Sequence, residues 1–302
     1  MADREAPVSV IVNQSGGSAG EDVRERVAEA LAAAGLKADI ILADGADCAG
    51  LAARLVKAGA PVVVAAGGDG TMSAVAGALV GSKTAMGLLP LGTLNHLARD
   101  LGIPFDLGEA SALIAARHQR CIDLGELNGR PFVNNSAVGL YPLMVLDREA
   151  QQQRLGRSKA LALFVASLRT LLRFRYQRLM LKADEGQVLV DTPLLFVGNN
   201  DYELAFPAAG QRAALDAGTL CVMVLRKSNA AGFIAAALRA MVGRTRSDDM
   251  IRLETAGRLR VDSHRSHIAL TLDGETLHLP PPLDYCIRKQ ALRVIAPPPA
   301  AA

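Results

Sequence analysis

Val62-Val63-Val64-Ala65-Ala66 is an apolar, mostly β-branched run that stops at Gly67-Gly68-Asp69-Gly70-Thr71. A buried strand that empties into such a loop is a place where backbone can touch a ligand. Glycines lack a Cβ and reach positive φ cheaply, so Gly67, Gly68 and Gly70 can let consecutive N–H groups converge on an anion. Thr71 is placed to cap the helix that follows, and a helix start carries unpaired N–H groups and partial positive charge. Loop and helix together predict a phosphate site. Asp69 would repel a bare phosphate, and as a loop carboxylate with no evident packing role it fits a residue that works through a divalent cation or orients a metal-bound water. The alternative is a solvated residue of a tight turn.

A second stretch repeats the pattern. Ala85 to Pro90 reads as a short buried strand, and Leu91-Gly92-Thr93-Leu94-Asn95-His96 follows as a Gly-Thr turn into a helix. Upstream, Val8 to Val12 reads as a strand ending in the polar loop Asn13-Gln14-Ser15-Gly16-Gly17-Ser18, which can hold another phosphate or a ribose. Glu21 to Ala34 has apolar residues at helical spacing and Lys37 to Leu42 alternates as a strand. Cys48 to Ala58 is helical, with Asp47 as N-cap and Gly59 as stop, and Leu107 to Ala116 is another helix. Strand and helix alternate, which predicts a three-layer α/β domain around a Rossmann-like parallel sheet with right-handed crossovers. In such a sheet ligands sit beyond the carboxyl ends of the strands, so both glycine loops would flank one nucleotide.

The texture then changes. Cys121 to Leu127, Asn128-Gly129 and Arg130 to Val138 read as strand, turn dipeptide and strand. Later segments are mostly strands: Tyr176 to Ala183, Gln187 to Val190, Leu194 to Val197, Thr219 to Leu225, Ile251 to Thr255, Arg258 to Val261, and His267 to Leu279 broken at Asp273-Gly274. The expectation is an antiparallel β-sandwich as second domain. At 302 residues the chain can bury two cores. The boundaries read as 1–122 for a nucleotide-binding domain, 123–288 for a β-rich substrate domain, and 289–302 for a segment that returns to the first domain through Ala291 to Ile295 and ends in a disordered tail.

The formal net charge of +3 is too mild to argue for nucleic acid. Cys48, Cys121, Cys221 and Cys286 are scattered without metal-ligand spacing, which suits reduced thiols in a cytoplasmic protein. The opening Met-Ala-Asp-Arg-Glu-Ala-Pro lacks the layout of a signal peptide, and no apolar run reaches membrane-spanning length. The expected location is cytoplasmic, with peripheral attachment at the inner membrane face as the furthest extension. A homodimer is left open.

Gly67 to Thr71, Leu89-Pro90-Leu91-Gly92-Thr93-Leu94-Asn95, Asn13, Arg212 to Leu220 and Leu272-Asp273-Gly274-Glu275 resemble, in order, the motifs of the diacylglycerol kinase catalytic-domain family, which includes sphingosine kinases and bacterial lipid kinases. The resemblance implies an ATP- and Mg²⁺-dependent kinase with a lipid as acceptor. It places Asn13, Gly67, Gly68, Asp69, Gly70, Thr71, Gly92, Thr93 and Asn95 at the nucleotide. It makes Glu275 the general base and Asp273 the organiser of metal or water, although Asp-Gly between alternating apolar residues also reads as a bare hairpin tip. Four positions depart from the family: Ser73 and Ala74 stand where Asn and Glu are usual, His96 where Asp is common, and Ala217 where a structural magnesium ligand is expected, leaving only Asp216 beside it. Two other readings stand beside a lipid kinase. One is an NAD kinase-like phosphotransferase, which shares Gly-Gly-Asp-Gly-Thr, and the other is a non-catalytic lipid- or nucleotide-binding relative.

From Ala150 to Ala183 there is no acidic residue, whereas Arg154, Arg157, Lys159, Arg169, Arg173, Arg175, Arg178 and Lys182 are present. Lys159 to Arg173 has apolar residues at helical spacing, so this stretch suits either an anionic membrane surface or a core helix with solvated cations. The membrane reading predicts that reversing Arg169, Arg173 and Arg175 to glutamate weakens sedimentation with phosphatidylglycerol vesicles and spares activity on a short-chain acceptor. The core-helix reading predicts loss of thermal stability and of both activities together.

Overall fold

A computed structural model describes residues 7–15, 22–139, 176–184, 186–203, 211–212, 214–225, 250–253 and 257–298. Two compact units emerge, Met1–Leu124 with Arg288–Ala302, and Gly125–Ile287.

In the first unit β1 (Val8–Asn13), α1 (Val23–Ala33), β2 (Ala38–Ala43), α2 (Cys48–Lys57), β3 (Val62–Gly67), α3 (Asp69–Leu79), β4 (Ala85–Pro90), α4 (His96–Asp100) and α5 (Leu107–Ala116) follow in order. Every residue of β3 and β4 is buried, as a strand covered by helices on both faces requires. The strands run parallel in the order β2-β1-β3-β4. α1 packs on α5, and α2 on α3, so helices form two layers with the sheet between them. This is the expected three-layer α/β fold. The chain moves outward from β1 to β2 and then crosses back to β3, so the strand order reverses between β1 and β3. Their carboxyl ends, Asn13 and Gly67, mark the switch point at which ligands bind in such sheets. Asp47 stands at the start of α2 after a short 3₁₀ turn but makes no side-chain cap. At α5 the Asp106 carboxylate does cap, accepting the Glu109 N–H at 3.0 Å.

The second unit contains the end of β5 (Gln119–Leu127), then β6 (Arg130–Phe132), β7 (Asn135–Gly139), β8 (Gln177–Ala183), β9 (Gly186–Thr192), β10 (Leu194–Asn199), β11 (Leu220–Leu225), β12 (Met250–Arg252), β13 (Arg258–Ser263), β14 (Ile268–Leu272) and β15 (Glu275–Leu279). One antiparallel sheet runs β12-β11-β10-β7-β14-β15. The other layer is β9-β8-β13 continued by β16 (Leu283–Ile295), with β5 and β6 beside it. The core draws Val138, Leu195, Val222 and Leu270 from the first sheet and Phe132, Leu181, Val261 and Tyr285 from the second, which makes it the expected sandwich. The last residues of β16 lie in the first unit, where Arg293 and Val294 pair with β4.

One expected strand is broken. Arg130 to Val138 was to be continuous, but β6 ends at Phe132 and β7 starts at Asn135 in the other sheet. Val133 and Asn134 form the corner, where both N–H groups and the Val133 carbonyl bond to side chains while the Asn134 carbonyl also accepts the Asn199 N–H of β10 at 2.9 Å. Most of the basic stretch, 140–175, lies outside the described residues, as does the end of the tail, 299–302. Of its cations Arg178 and Lys182 are on β8, where Lys182 donates to Asp262 at 2.9 Å. Among the described residues no helix is long and apolar enough to cross a membrane.

Ser136 on β7 and Tyr285 on β16 tie the two sandwich layers. Their hydroxyls share a hydrogen bond of 3.0 Å, and the Tyr285 ring meets Phe132 edge-on with centroids 6.4 Å apart. Burial pushes the Tyr285 phenol well above its ordinary value of 10.0. The unfolded chain therefore loses this proton first, and stability conferred by the neutral buried phenol is full below pH 10 and falls as pH rises beyond it. Tyr285→Phe should flatten that alkaline decline in urea-unfolding curves taken across pH. At neutral pH it should cost about 1 kcal/mol for the lost hydrogen bond.

Candidate functional site

In the first unit the two glycine loops touch. The Leu91 N–H donates to Gly67 O at 2.9 Å, extending the ladder past the ends of β3 and β4. A Cβ on Gly92 would sit 2.5 Å from the Gly68 Cα, and one on Gly67 would run into the Thr71 side chain. These positions need glycine for space. None of Gly67, Gly68 and Gly70 takes a positive φ, and Gly68 is extended at φ −93°, so at Gly67 and Gly68 the conformational reason expected from the sequence gives way to a steric one, whereas a Cβ on Gly70 would meet open space. Thr71 is not the cap either. Gly68 occupies the cap position, and Thr71 lies buried in the first turn of α3, its Oγ1 accepting from Asn13 Nδ2 at 2.9 Å. That bond joins the end of β1 to α3 across the switch point.

Asp69 has a structural partner after all. Its Oδ2 accepts the Asn95 N–H at 2.9 Å and its Oδ1 the His96 N–H at 2.7 Å, so a carboxylate from one loop caps the helix of the next. Asn95 is left-handed at φ 50° and only 3% exposed, and its amide folds back on Gly92, accepting from N at 3.1 Å and donating to O at 2.7 Å. Arg99 Nε braces the same loop by donating to Leu94 O at 2.8 Å. The donors left for an anion are those of the first turn of α3, which no helix satisfies internally. Gly70 and Thr93 are exposed beside them, as is His96.

In the second unit Asp273 and Gly274 take φ 48° and 91°, the two left-handed residues of a tight β14–β15 hairpin. The Asp273 carboxylate accepts three backbone N–H groups of the β6–β7 corner: Val133 at 2.7 Å, Asn134 at 2.7 Å and Asn135 at 3.1 Å. The carbonyls of the same corner face donors. Arg212, 6% exposed, donates from Nη1 to Val133 O at 2.7 Å and from Nη2 to Asn134 Oδ1 at 3.0 Å. Tyr202 Oη donates to Asn134 O at 3.0 Å and Asn199 Nδ2 to Val133 O at 2.8 Å, while the Arg212 guanidinium lies 5.5 Å from the Tyr202 ring centre. Peptide dipoles thus run from a carboxylate to a guanidinium, each end satisfied. Glu275 opens β15 opposite Leu272, exposed, and among the described residues its carboxylate has no hydrogen-bond partner.

Arg212 entered the sequence reading only as the start of a matching stretch, and Asn134, Tyr202 and Asn199 did not enter it. Their spacing carries no signal, because the four converge only through the corner. Asp216 and Ala217 are both exposed, and among the described residues no group of three or more His, Cys, Asp or Glu side chains could hold a metal. Among the described residues Asp216 therefore belongs to no carboxylate, His or Cys group that would hold a structural ion. A Mg²⁺ carried by nucleotide phosphates fits better, since each Asp69 oxygen keeps a lone pair beyond its N–H bond.

Residues 7–127 match the diacylglycerol kinase catalytic domain, and residues 144–296 the YegS C-terminal NAD kinase beta sandwich-like domain. A diacylglycerol kinase of Bacillus subtilis (strain 168) is 30% identical over 236 residues, 76% of this chain and 77% of that protein. One from Staphylococcus aureus (strain JH9) is 26% identical over 216 residues, 71% of this chain and 68% of that protein. The fold is shared with a putative diacylglycerol kinase from Bacillus anthracis str. Sterne, at TM-score 0.75, 21% identity and 98% coverage of both chains. It is shared more loosely with yeast NADH kinase complexed with NADH, at TM-score 0.55, 11% identity and coverage of 97% and 84%. These matches define a phosphotransferase of the kinase type. The chain belongs to the diacylglycerol kinase catalytic-domain family.

The Asp69 latch makes a prediction about stability. In Asp69→Asn the amide NH₂ would face a backbone N–H, so one bond and the charge are lost at once. Urea unfolding should show a loss of about 1–3 kcal/mol. An unchanged midpoint would mean that the two loops hold together without it.

Proposed function

We propose that the protein is an ATP-dependent lipid kinase that transfers the γ-phosphate to a hydroxyl of a diacylglycerol-like or sphingoid lipid. The observation that carries this reading is the pair of interlocked loops beyond β3 and β4, with Asn13 and Thr71 joined at the switch point. Family membership and relatives that are diacylglycerol kinases support the lipid as acceptor. The first unit is the nucleotide-binding domain and the second the lipid-substrate domain. The N–H groups at the start of α3, with Gly92 and Thr93, take the phosphates. Asp69 holds the loops in register and offers its remaining lone pairs to Mg²⁺. That ion, when bound, neutralises charge on the β and γ oxygens.

The acceptor hydroxyl attacks the γ-phosphorus, the bond to the β–γ bridging oxygen breaks, ADP leaves, and the hydroxyl proton passes to a carboxylate. Glu275 is that base, an exposed carboxylate on a hairpin whose tip cannot drift. Asp273 is the reason, because its oxygens are committed to three N–H groups of the corner, which makes it a positioning residue. The protein works in the cytoplasm, in peripheral contact with an anionic membrane through Arg154 to Lys182.

The test uses labelled ATP with extracted lipids and, separately, with NAD. Label should enter the lipid fraction. Glu275→Gln should lower kcat by about 10²-fold or more with the KM for ATP little changed, as expected for loss of a general base. Label in NAD would make the protein an NAD kinase, and undiminished kcat in the variant would remove Glu275 from the chemistry.

A further inference from the structure

The first unit contains a second polar site, at the edge of its sheet away from the glycine loops. A cavity of about 550 Å³ opens beside the first residue of β3, Val62, and the residue before β4, Thr84. The loops lie at the other ends of these strands, five residue steps or about 17 Å away. The volume is in the range of sites for small organic ligands.

The charge of this cavity is one-sided. Lys83, Arg117 and Arg293 line it, from the α3–β4 turn, the end of α5 and β16, and the lining contains no acidic residue. Among the described residues neither Lys83 nor Arg293 takes part in an ion pair. Hydroxyls and backbone shape the rim: Thr84 Oγ1 donates to Ala60 O at 2.8 Å, and the Thr84 N–H donates to Ser82 Oγ at 3.2 Å. Arg293 is held in place by its pairing with Ala85. Val56, Pro61 and Val62 add apolar lining.

Helix ends supply a competing reason for cations here. α2, α3 and α5 all end next to the cavity, and a helix C-terminus carries about half a negative charge. Three such ends amount to about −1.5, against two full positive charges on Lys83 and Arg293 alone, so compensation of the dipoles leaves a surplus. Arg293, moreover, lies on a strand and has no helix end of its own to offset.

We propose that this cavity binds a phosphate group, with the apolar lining residues taking the rest of the molecule that carries it. The site is separate from the nucleotide loops, so its occupant binds without displacing nucleotide. The phosphate can belong to a soluble monoester or to a lipid headgroup.

The test is calorimetric titration of the full chain with inorganic phosphate and with phenyl phosphate. Three proteins are compared: the wild type, the double variant Lys83→Gln/Arg293→Gln, and Thr93→Glu, which puts a negative charge at the glycine loops. All three changed residues are exposed, so each variant should melt like the wild type. The expected result is that binding at the cavity persists in Thr93→Glu and weakens about tenfold or more in the double variant, with phenyl phosphate binding more tightly than inorganic phosphate. Flotation with phosphatidylcholine vesicles containing phosphatidic acid identifies the source. A lipid source gives flotation that the double variant reduces, and a soluble source gives calorimetric binding with equal flotation. Binding that disappears in Thr93→Glu and survives in the double variant would put the anion at the loops and overturn the proposal. So would no binding at millimolar phosphate, which would leave the cations as partners of the helix ends. Kinase activity is not read, so this outcome is independent of the lipid-kinase assignment.

Discussion

A carboxylate that satisfies backbone N–H groups of another loop is the interaction on which both polar clusters depend. Asp69 does this for Asn95 and His96, and Asp273 for Val133, Asn134 and Asn135. The reason is general. Loops that leave a strand or begin a helix carry donors with no ladder to join, and a buried donor without a partner costs on the order of 1–3 kcal/mol. An ionised acceptor removes that cost for two or three donors at once and fixes where the loop lies. In the first unit it aligns two glycine loops. In the second it pins a hairpin tip.

The β6–β7 corner shows how far such bonding can override strand propensity. Arg130 to Val138 has the composition of one strand, yet the chain leaves one sheet and enters the other after two residues. At Val133 and Asn134 the donors face Asp273 and the acceptors face Arg212, Tyr202 and Asn199. Side chains supply most of these partners, and the β10 strand adds one, the Asn199 N–H at the Asn134 carbonyl. A charged pair on opposite sides of one peptide segment also polarises it, which strengthens each bond in a partly buried setting. The corner is consequently rigid, and the hairpin that carries Glu275 inherits its position.

The glycines illustrate the same dependence on distant contacts. A glycine-rich loop suggests positive φ, and the turn at Asp273-Gly274 has it. At Gly68 and Gly92 the demand is contact between two backbones, a property of a pair of loops and not of either one, and at Gly67 it is room for the Thr71 side chain. Similarly, Thr71 reads locally as a helix cap but is spent on Asn13, a residue that β1 delivers from far back in the chain.

The sequence by itself determined the order of elements, the parallel sheet with helices on both faces, the sandwich, the two glycine loops at strand ends, and the hairpin at Asp273-Gly274. Each of these is written in short-range patterns: apolar periodicity of two or 3.6 residues, turn dipeptides and runs that end in glycine. Family motifs added the identity of the candidate catalytic groups. Only the tertiary structure decided which donors Asp69 and Asp273 satisfy, where the β6–β7 corner falls, that Arg212 lies buried beneath it, and that Lys83, Arg117 and Arg293 share one cavity. These facts rest on groups far apart in the chain that meet at hydrogen-bond distance or around a common space. Local patterns record what a segment prefers, whereas such meetings are set by how the packed elements bring unsatisfied polar groups together.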